Sequence, residues 1–282
     1  MARLLTISSW VARGHVGNSA TTFPLMRRGH DVISLPTVVL AHHPGHAPNP
    51  TRTEITGLFE MGTDVLESPE PHPVDGVLVG YVALAPQAVN IAGIVAQARA
   101  LKPAIPLVVD PIMGDDGELY VDPAVNGEIA THLLPMADII VPNLTELAAL
   151  SDPASVSRAL EMSEAEAIER ALALSVPAVL VTSAPATSRD RICNLLVTRN
   201  GAWRIETARL PCRVNGTGDL LSGIVLSEIA IGRSMLEAAA LAAGIVHDVL
   251  EETARRDADE MVLADAQDVL LSPRTSAVVT PI

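Results

Sequence analysis

Aromatic side chains are nearly missing: two Trp, two Tyr and two Phe in 282 residues. The six are Trp10, Phe23, Phe59, Tyr81, Tyr120 and Trp203. The core must therefore be built from Leu, Val, Ile and Ala, and an aromatic ligand finds few rings on which to stack. Lysine occurs once, at Lys102, which leaves lysine-dependent catalysis almost no candidate. The two cysteines, Cys193 and Cys212, make neither a CxxC pair nor a disulfide framework, and read as free thiols of a reducing cytoplasm. Positive charge is scarce too. Nineteen Lys and Arg against 33 Asp and Glu give a net charge of −14, with no basic face for nucleic acid or an anionic membrane. No uncharged apolar run reaches the about 18 residues of a membrane span, and "MARLLTISSW" lacks the long apolar stretch of a secretion signal. The expectation is a cytoplasmic protein with neither nucleic acid nor membrane as partner.

What is present is apolar and ordered in alternation. Hydrophobic residues make up 49% of the chain, enough for a large core. Short β-branched runs at 3–8, 31–40, 75–81, 105–110, 137–142 and 178–183 read as strands. Helical patterns at 18–29, 53–66, 86–101 and 163–174 lie between them. Such alternation predicts a doubly wound, mostly parallel α/β sheet with helices on both faces. After residue 184 the pattern changes: 191–199 and 201–210 flank the turn signal Asn200–Gly201 and read as an antiparallel hairpin. Two helices follow, over about 217–231 and 234–254. No linker or repeat divides the chain, so 1–282 is read as a single domain. "AHHPGHAPNP" (41–50) holds three histidines in five residues, but its prolines and glycine deny them a regular backbone, and it reads as a surface loop or flap.

Ligands of open α/β sheets bind beyond the carboxyl ends of the strands. Polar residues at those ends are Ser8 and Ser9, Tyr81, Asp110, Asn143 with Glu146, and Thr182 with Ser183. Neither a P-loop nor a dinucleotide fingerprint occurs. "NGTGDLLSG" (215–223) instead puts Gly216 and Gly218 at a helix start, where unpaired N–H groups favour an anion, and Asp219 in the first turn. Taken alone, Asp219 reads equally as a helix-stabilising acid and as the base of phosphoryl transfer to an alcohol. Asp110, Asp115 and Asp116 read as turn formers or as magnesium ligands. Asn143 and Glu146 have the spacing of a capping box.

"SSWVARGHVGNSATTFPLMRRGHDV", "DPIMGDDGELYV", "ADIIVPNLTEL", "SRDRICNLLVT" and "NGTGDLLSG" together resemble the pyridoxal kinases of the ribokinase-like superfamily, in order from about residue 7 to 250. The resemblance implies ATP-dependent phosphorylation of the 5′-hydroxymethyl group of pyridoxal, pyridoxine or pyridoxamine. It implies Asp219 as base, with Gly216, Thr217 and Gly218 as the anion hole. Asp110, Glu146 and Asp115 would serve magnesium, and Asn143, Thr182 and Val214 the nucleotide. Ser9, Val16, Val38, Pro44 and Tyr81 would line the vitamin pocket, together with Asp219. Magnesium with ATP, a monovalent cation such as K+, and a homodimer are implied as well. Departures fall in the acceptor pocket. The family commonly has a His where this chain has Trp10, a Phe where it has Leu40 and a Thr where it has Pro44. Asn49 falls near the place of a Trp. Trp10 is a candidate replacement ring. A kinase for another small alcohol, such as a hydroxymethylpyrimidine, and a non-catalytic pyridoxal phosphate binder are the competing expectations.

Overall fold

The Val, Ile and Leu runs become the strands of one ten-stranded sheet in a computed structural model that describes residues 1–68 and 73–282. In chain order the first elements are β1 (Arg3–Arg13), α1 (Asn18–Arg27), β2 (Asp31–His42), β3 (Arg52–Glu54), α2 (Leu58–Leu66), β4 (Gly76–Val79), α3 (Ala85–Leu101) and β5 (Leu107–Val109). A small separate hairpin follows, β6 (Gly114–Asp115) and β7 (Glu118–Leu119). Next come α4 (Pro123–Glu128), β8 (Ile139–Ile140), α5 (Leu144–Ser151), α6 (Glu164–Ala173) and β9 (Ala178–Ala184). The last are β10 (Arg191–Thr198), β11 (Gly201–Ala208), α7 (Thr217–Ala230), α8 (Met235–Arg255), α9 (Gln267–Leu271) and β12 (Val278–Pro281).

The sheet order is β12-β11-β10-β9-β8-β5-β4-β1-β2-β3. The six strands from β9 to β2 are mutually parallel, so their carboxyl ends share one rim. β3 closes one edge antiparallel, and β10, β11 and β12 extend the other. The doubly wound expectation and its antiparallel extension near 191–210 both hold.

Side chains alternate across each strand, and here both faces are apolar. Ile7, Val79, Val109, Ile140 and Val181 join one core, under α2 to α6. Leu4, Leu78, Val108, Ile139 and Leu180 join the other, under α1, α7, α8 and α9. Burial of each such side chain contributes roughly 1.5–3 kcal/mol, which compensates for the shortage of rings. A continuous apolar strand is what two covered faces require.

The helix expected over 53–66 is corrected: its start is β3, paired with Val38–Leu40 of β2, and the helix begins only at Leu58. Thr53, Ile55 and Thr56 lose side-chain freedom in a helix, and the edge of β2 offers backbone partners instead. β6, β7, α4 and β12 were too short to show a period. The lone Lys102 lies past the end of α3, its Nζ 2.6 Å from Asp75 Oδ1 just before β4. That is the rim opposite the strand carboxyl ends.

Candidate active site

Two helix starts and three strand ends meet on the carboxyl rim. α7 begins beyond Gly216, which takes a left-handed φ of +85°. A Cβ there would fall 1.8 Å from the His15 carbonyl oxygen, so only glycine lets the 14–17 loop close against the 215–219 loop. The close approach brings the N–H of Gly17, which precedes α1, onto the Asp219 carboxylate. Both helices direct the positive ends of their dipoles at this point.

Asp219 is the third residue of α7 and Ser222 follows one turn later, so both share a face. Ser222 Oγ donates to Asp110 Oδ2 at 2.7 Å. Asp110 itself follows β5 and is 6% exposed. Removal from water pushes the Asp219 carboxyl up to about 6, against the pull of the N–H groups of Gly17 and of Asp219 itself. Burial, and then the charge of Asp219, push Asp110 up to about 8, while the Ser222 hydroxyl holds it down. The order is physical: Asp219 ionises beside a still neutral Asp110, and Asp110 then has to ionise beside an anion.

Glu146 is the third carboxylate. It lies in the first turn of α5 and forms a capping box with Asn143: Asn143 Oδ1 accepts from Glu146 N at 2.9 Å, and Glu146 Oε2 from Asn143 N at 2.8 Å. Its other oxygen accepts from Met113 N at 3.0 Å. Buried and facing Asp110, its carboxyl is raised well above the usual range by burial first and the Asp110 charge second. The cap read from the sequence is thus present, and it also fixes a buried acid beside Asp110. Asn143 Nδ2 and Thr145 Oγ1 bind Gly114 O and Gly117 N, at 2.8 and 2.9 Å. The β6–β7 hairpin therefore rides on the start of α5.

The other sequence candidates divide. Thr182 sits at the end of β9 and lines, with Thr217 and Gly218, a cavity of about 160 Å³. Val214 precedes the 215–219 loop and packs on the second core. Ser9 and Val38 are buried, in β1 and β2. Val16 is half-buried in the 14–17 loop, and Tyr81 follows β4 with its N–H on Ser8 Oγ at 3.0 Å. Pro44 is exposed in the 43–51 loop. That loop closes over the rim: His46 Nε2 lies 2.9 Å from Glu260 Oε1, and a Cβ on Gly45 would lie 3.1 Å from Asn215 Nδ2. Trp10 is 37% exposed and pairs in register with Val39. Asp115, unlike the three buried acids, is exposed, and its Oδ1 accepts from Asp116 N at 2.9 Å. Asp116 pairs with Arg213 at 2.5 Å, which ties the hairpin to the anion loop.

Two residues escaped the sequence reading. Ser222 was legible from its i+3 spacing to Asp219. Tyr120 was not, since only the folded hairpin brings it within range of the acids' charge, where it is still 59% exposed. Its hydroxyl is raised by loss of water and by the charges of Glu146, Asp110, Asp219 and Asp115.

A donor set of two buried, mutually repelling carboxylates suits a hard cation that keeps waters and arrives with phosphate oxygens. Among the described residues no three His, Cys, Asp or Glu converge as a closed cage. Asp110 and Glu146 fit a magnesium ion that takes its remaining oxygens from water and phosphate. Taken together, the rim gathers the buried carboxyl of Asp219, the N–H groups of a helix start and two further buried acids, Asp110 and Glu146.

Residues 74–262 match the family model described as phosphomethylpyrimidine kinase. The chain is similar to the pyridoxal kinase PdxY of Rubrobacter xylanophilus, 36% identical over 96% of this chain and 94% of the relative. It is also similar to the pyridoxal kinase PdxY of Leifsonia xyli, 34% identical over 96% of each. Among solved structures, pyridoxal kinase from Leishmania donovani in complex with ADP and pyridoxine superposes with a TM-score of 0.86, at 28% identity over 99% of both chains.

Proposed function

The chain belongs to the pyridoxal kinase family, and from that premise we propose that it transfers the γ-phosphoryl group of ATP to the 5′-hydroxymethyl group of pyridoxal, and of pyridoxine and pyridoxamine. The observation that carries the mechanism is Asp219, placed at a helix start with its carboxyl raised to about 6 beside Asp110 and Glu146. As an anion above that pH, Asp219 accepts the proton of the attacking hydroxyl. The N–H groups at Gly216, Thr217 and Gly218 stabilise negative charge on the phosphoryl group in transfer. Asp110 and Glu146 would hold magnesium, which when bound with ATP would offset the charge of the phosphate oxygens. Asn143 and Asp115 border that place, and Thr182 and Val214 border the nucleotide. Ser9, Val16, Val38, Pro44 and Tyr81 enclose the acceptor, with the 43–51 loop shutting water out. Residues 1–282 act as one kinase domain in this reading.

The test is ADP release with purified protein, magnesium–ATP and each B6 vitamer. Turnover with pyridoxal is expected, and no turnover with any vitamer would refute the proposal. A second reading, phosphorylation of a hydroxymethylpyrimidine, is favoured by the family model matched over 74–262 and by Leu40 and Pro44 in the acceptor pocket. Higher kcat/KM for the pyrimidine alcohol than for pyridoxal in the same assay would establish it. A monovalent cation and a homodimer belong to the proposal too. They are checked by rates in K+ against choline salts and by light scattering.

A further inference from the structure

The cavity beside the anion loop has an end that the chemistry above does not use. It starts at Thr217 and Gly218 and runs between β10 and α8 to Ile192, Val246, His247 and Leu250. Aliphatic side chains line it there together with Asn194 and Thr207, and His247 is the only ring among its lining residues. The His247 side chain is 10% exposed, and its Nδ1 is fully engaged: Thr275 Oγ1 lies at 3.1 Å and Asp248 Oδ1 at 3.3 Å.

These partners are themselves fixed. Asp248 is fully buried, and its second oxygen accepts the backbone N–H groups of Arg274 and Thr275. A Cβ on Gly244 would fall 2.3 Å from the Thr275 carbonyl oxygen, so the tail seats in a notch that α8 provides only there. β12 then pairs with β11 and anchors the far side of the tail. A carboxylate only accepts, so Asp248 assigns the ring proton to Nδ1. In the neutral ring Nε2 is then an acceptor, and no described residue bonds to it.

On the kinase reading this end of the cavity faces the purine base of the nucleotide, and we infer that His247 there selects a 6-amino purine over a 6-oxo purine by accepting the exocyclic N–H at Nε2. The inference rests on the kinase reading for its phosphate donor. With no aromatic side chain to stack on, base identity is read at the edge. An oxo group would place one acceptor against another, a mismatch that leaves a buried polar atom unpaired. His247 is a specificity residue, and Thr275 and Asp248 position it.

The experiment compares ATP with ITP as donors, and ADP with IDP by calorimetry, for wild type, His247→Ala and Thr275→Val. Wild type is expected to favour ATP in kcat/KM, and ADP in affinity, by about tenfold or more. His247→Ala should bring both ratios to within about threefold of unity, through weaker adenine binding, with pyridoxal KM unchanged. Thr275→Val removes one hydroxyl and should lower both ratios by at least about threefold, at an unchanged melting temperature. A wild type indifferent to the base, or one that prefers ITP, overturns the inference. So does a folded His247→Ala that keeps the wild-type ratio; if that variant misfolds, an unchanged ratio in Thr275→Val overturns it instead. The two readings fail separately. Protein that binds ADP over IDP but turns over no vitamer sinks the kinase reading alone, and protein that phosphorylates pyridoxal equally well from ATP and ITP sinks this one alone.

Discussion

Replacing Gly218 by Ala should raise stability and lower activity at the same time. Gly218 lies in the first turn of α7 with ordinary helical dihedrals, and a Cβ there would meet nothing nearer than Asp110 Oδ2, at 3.9 Å. The fold therefore has room for the methyl group. Alanine loses less backbone entropy than glycine in a helix, so the variant should gain about 0.5–1 kcal/mol, or about 1–3 °C in melting temperature for a chain of this size. The methyl group, however, projects into the crevice that faces Asp110, where the transferring phosphoryl group must lie against the Gly218 N–H. An oxygen held at about 2.9 Å from that nitrogen would have to retreat by up to about 1 Å. Losing one such donor, or misplacing the reacting group by that much, costs about 100-fold or more in turnover. The assay is ADP release under saturating pyridoxal, alongside thermal unfolding followed by circular dichroism. Turnover within about threefold of wild type would refute the anion-hole assignment. A melting temperature lowered by several degrees would show that the glycine serves the fold instead.

Gly216→Ala should behave oppositely in stability, since its Cβ would overlap the His15 carbonyl at a left-handed φ; a loss of at least about 1–2 kcal/mol is expected, read as a lower urea midpoint. Asp219→Asn should fold normally and lose about 10²–10⁴ in kcat. In wild type the base must be ionised, so with its carboxyl at about 6, kcat/KM should fall about tenfold per pH unit below that value and level off above it. A profile flat from pH 5 to 8 would exclude Asp219 as the base. For Asp110 the folded carboxyl is raised to about 8 by burial and by Asp219. Its neutral form therefore stabilises the fold below the ordinary carboxylate range, and that stability is lost as pH rises toward 8. The metal-free protein should melt progressively lower from pH 5 to 8. Asp110→Asn should flatten that slope, and magnesium–ADP should reverse it; an unchanged slope in Asp110→Asn would assign the effect elsewhere.

The parallel sheet was legible because burial on both faces forces unbroken Val, Ile and Leu runs, as in Leu107–Val109 and residues 179–181. The rim followed from topology: Asp110, Asn143 and Thr182 end strands that all point the same way. What stayed hidden depends on contacts distant in sequence. Thr53 and Ile55 carry no sign that β2 awaits an edge partner, and Tyr120 comes within range of the acids' charge only once Thr145 and Asn143 hold the β6–β7 hairpin. Asp219 itself changed meaning through Gly17, two hundred residues away, whose N–H it accepts. Cap and base are not alternatives at that position, because the helix start that stabilises the carboxylate also presents the N–H groups of an anion site.

The pairing of Lys102 with Asp75 has a bearing on the product. Pyridoxal 5′-phosphate carries an aldehyde, and aldehydes condense with unprotonated amines to form imines. A chain rich in surface lysines would be a sink for the molecule it releases. This one has a single ε-ammonium, tied to a carboxylate at 2.6 Å on the rim away from the crevice. Eighteen of its nineteen cationic side chains are arginine, which holds its proton throughout. The chain keeps its ion pairs while offering a newly made aldehyde almost nothing to react with.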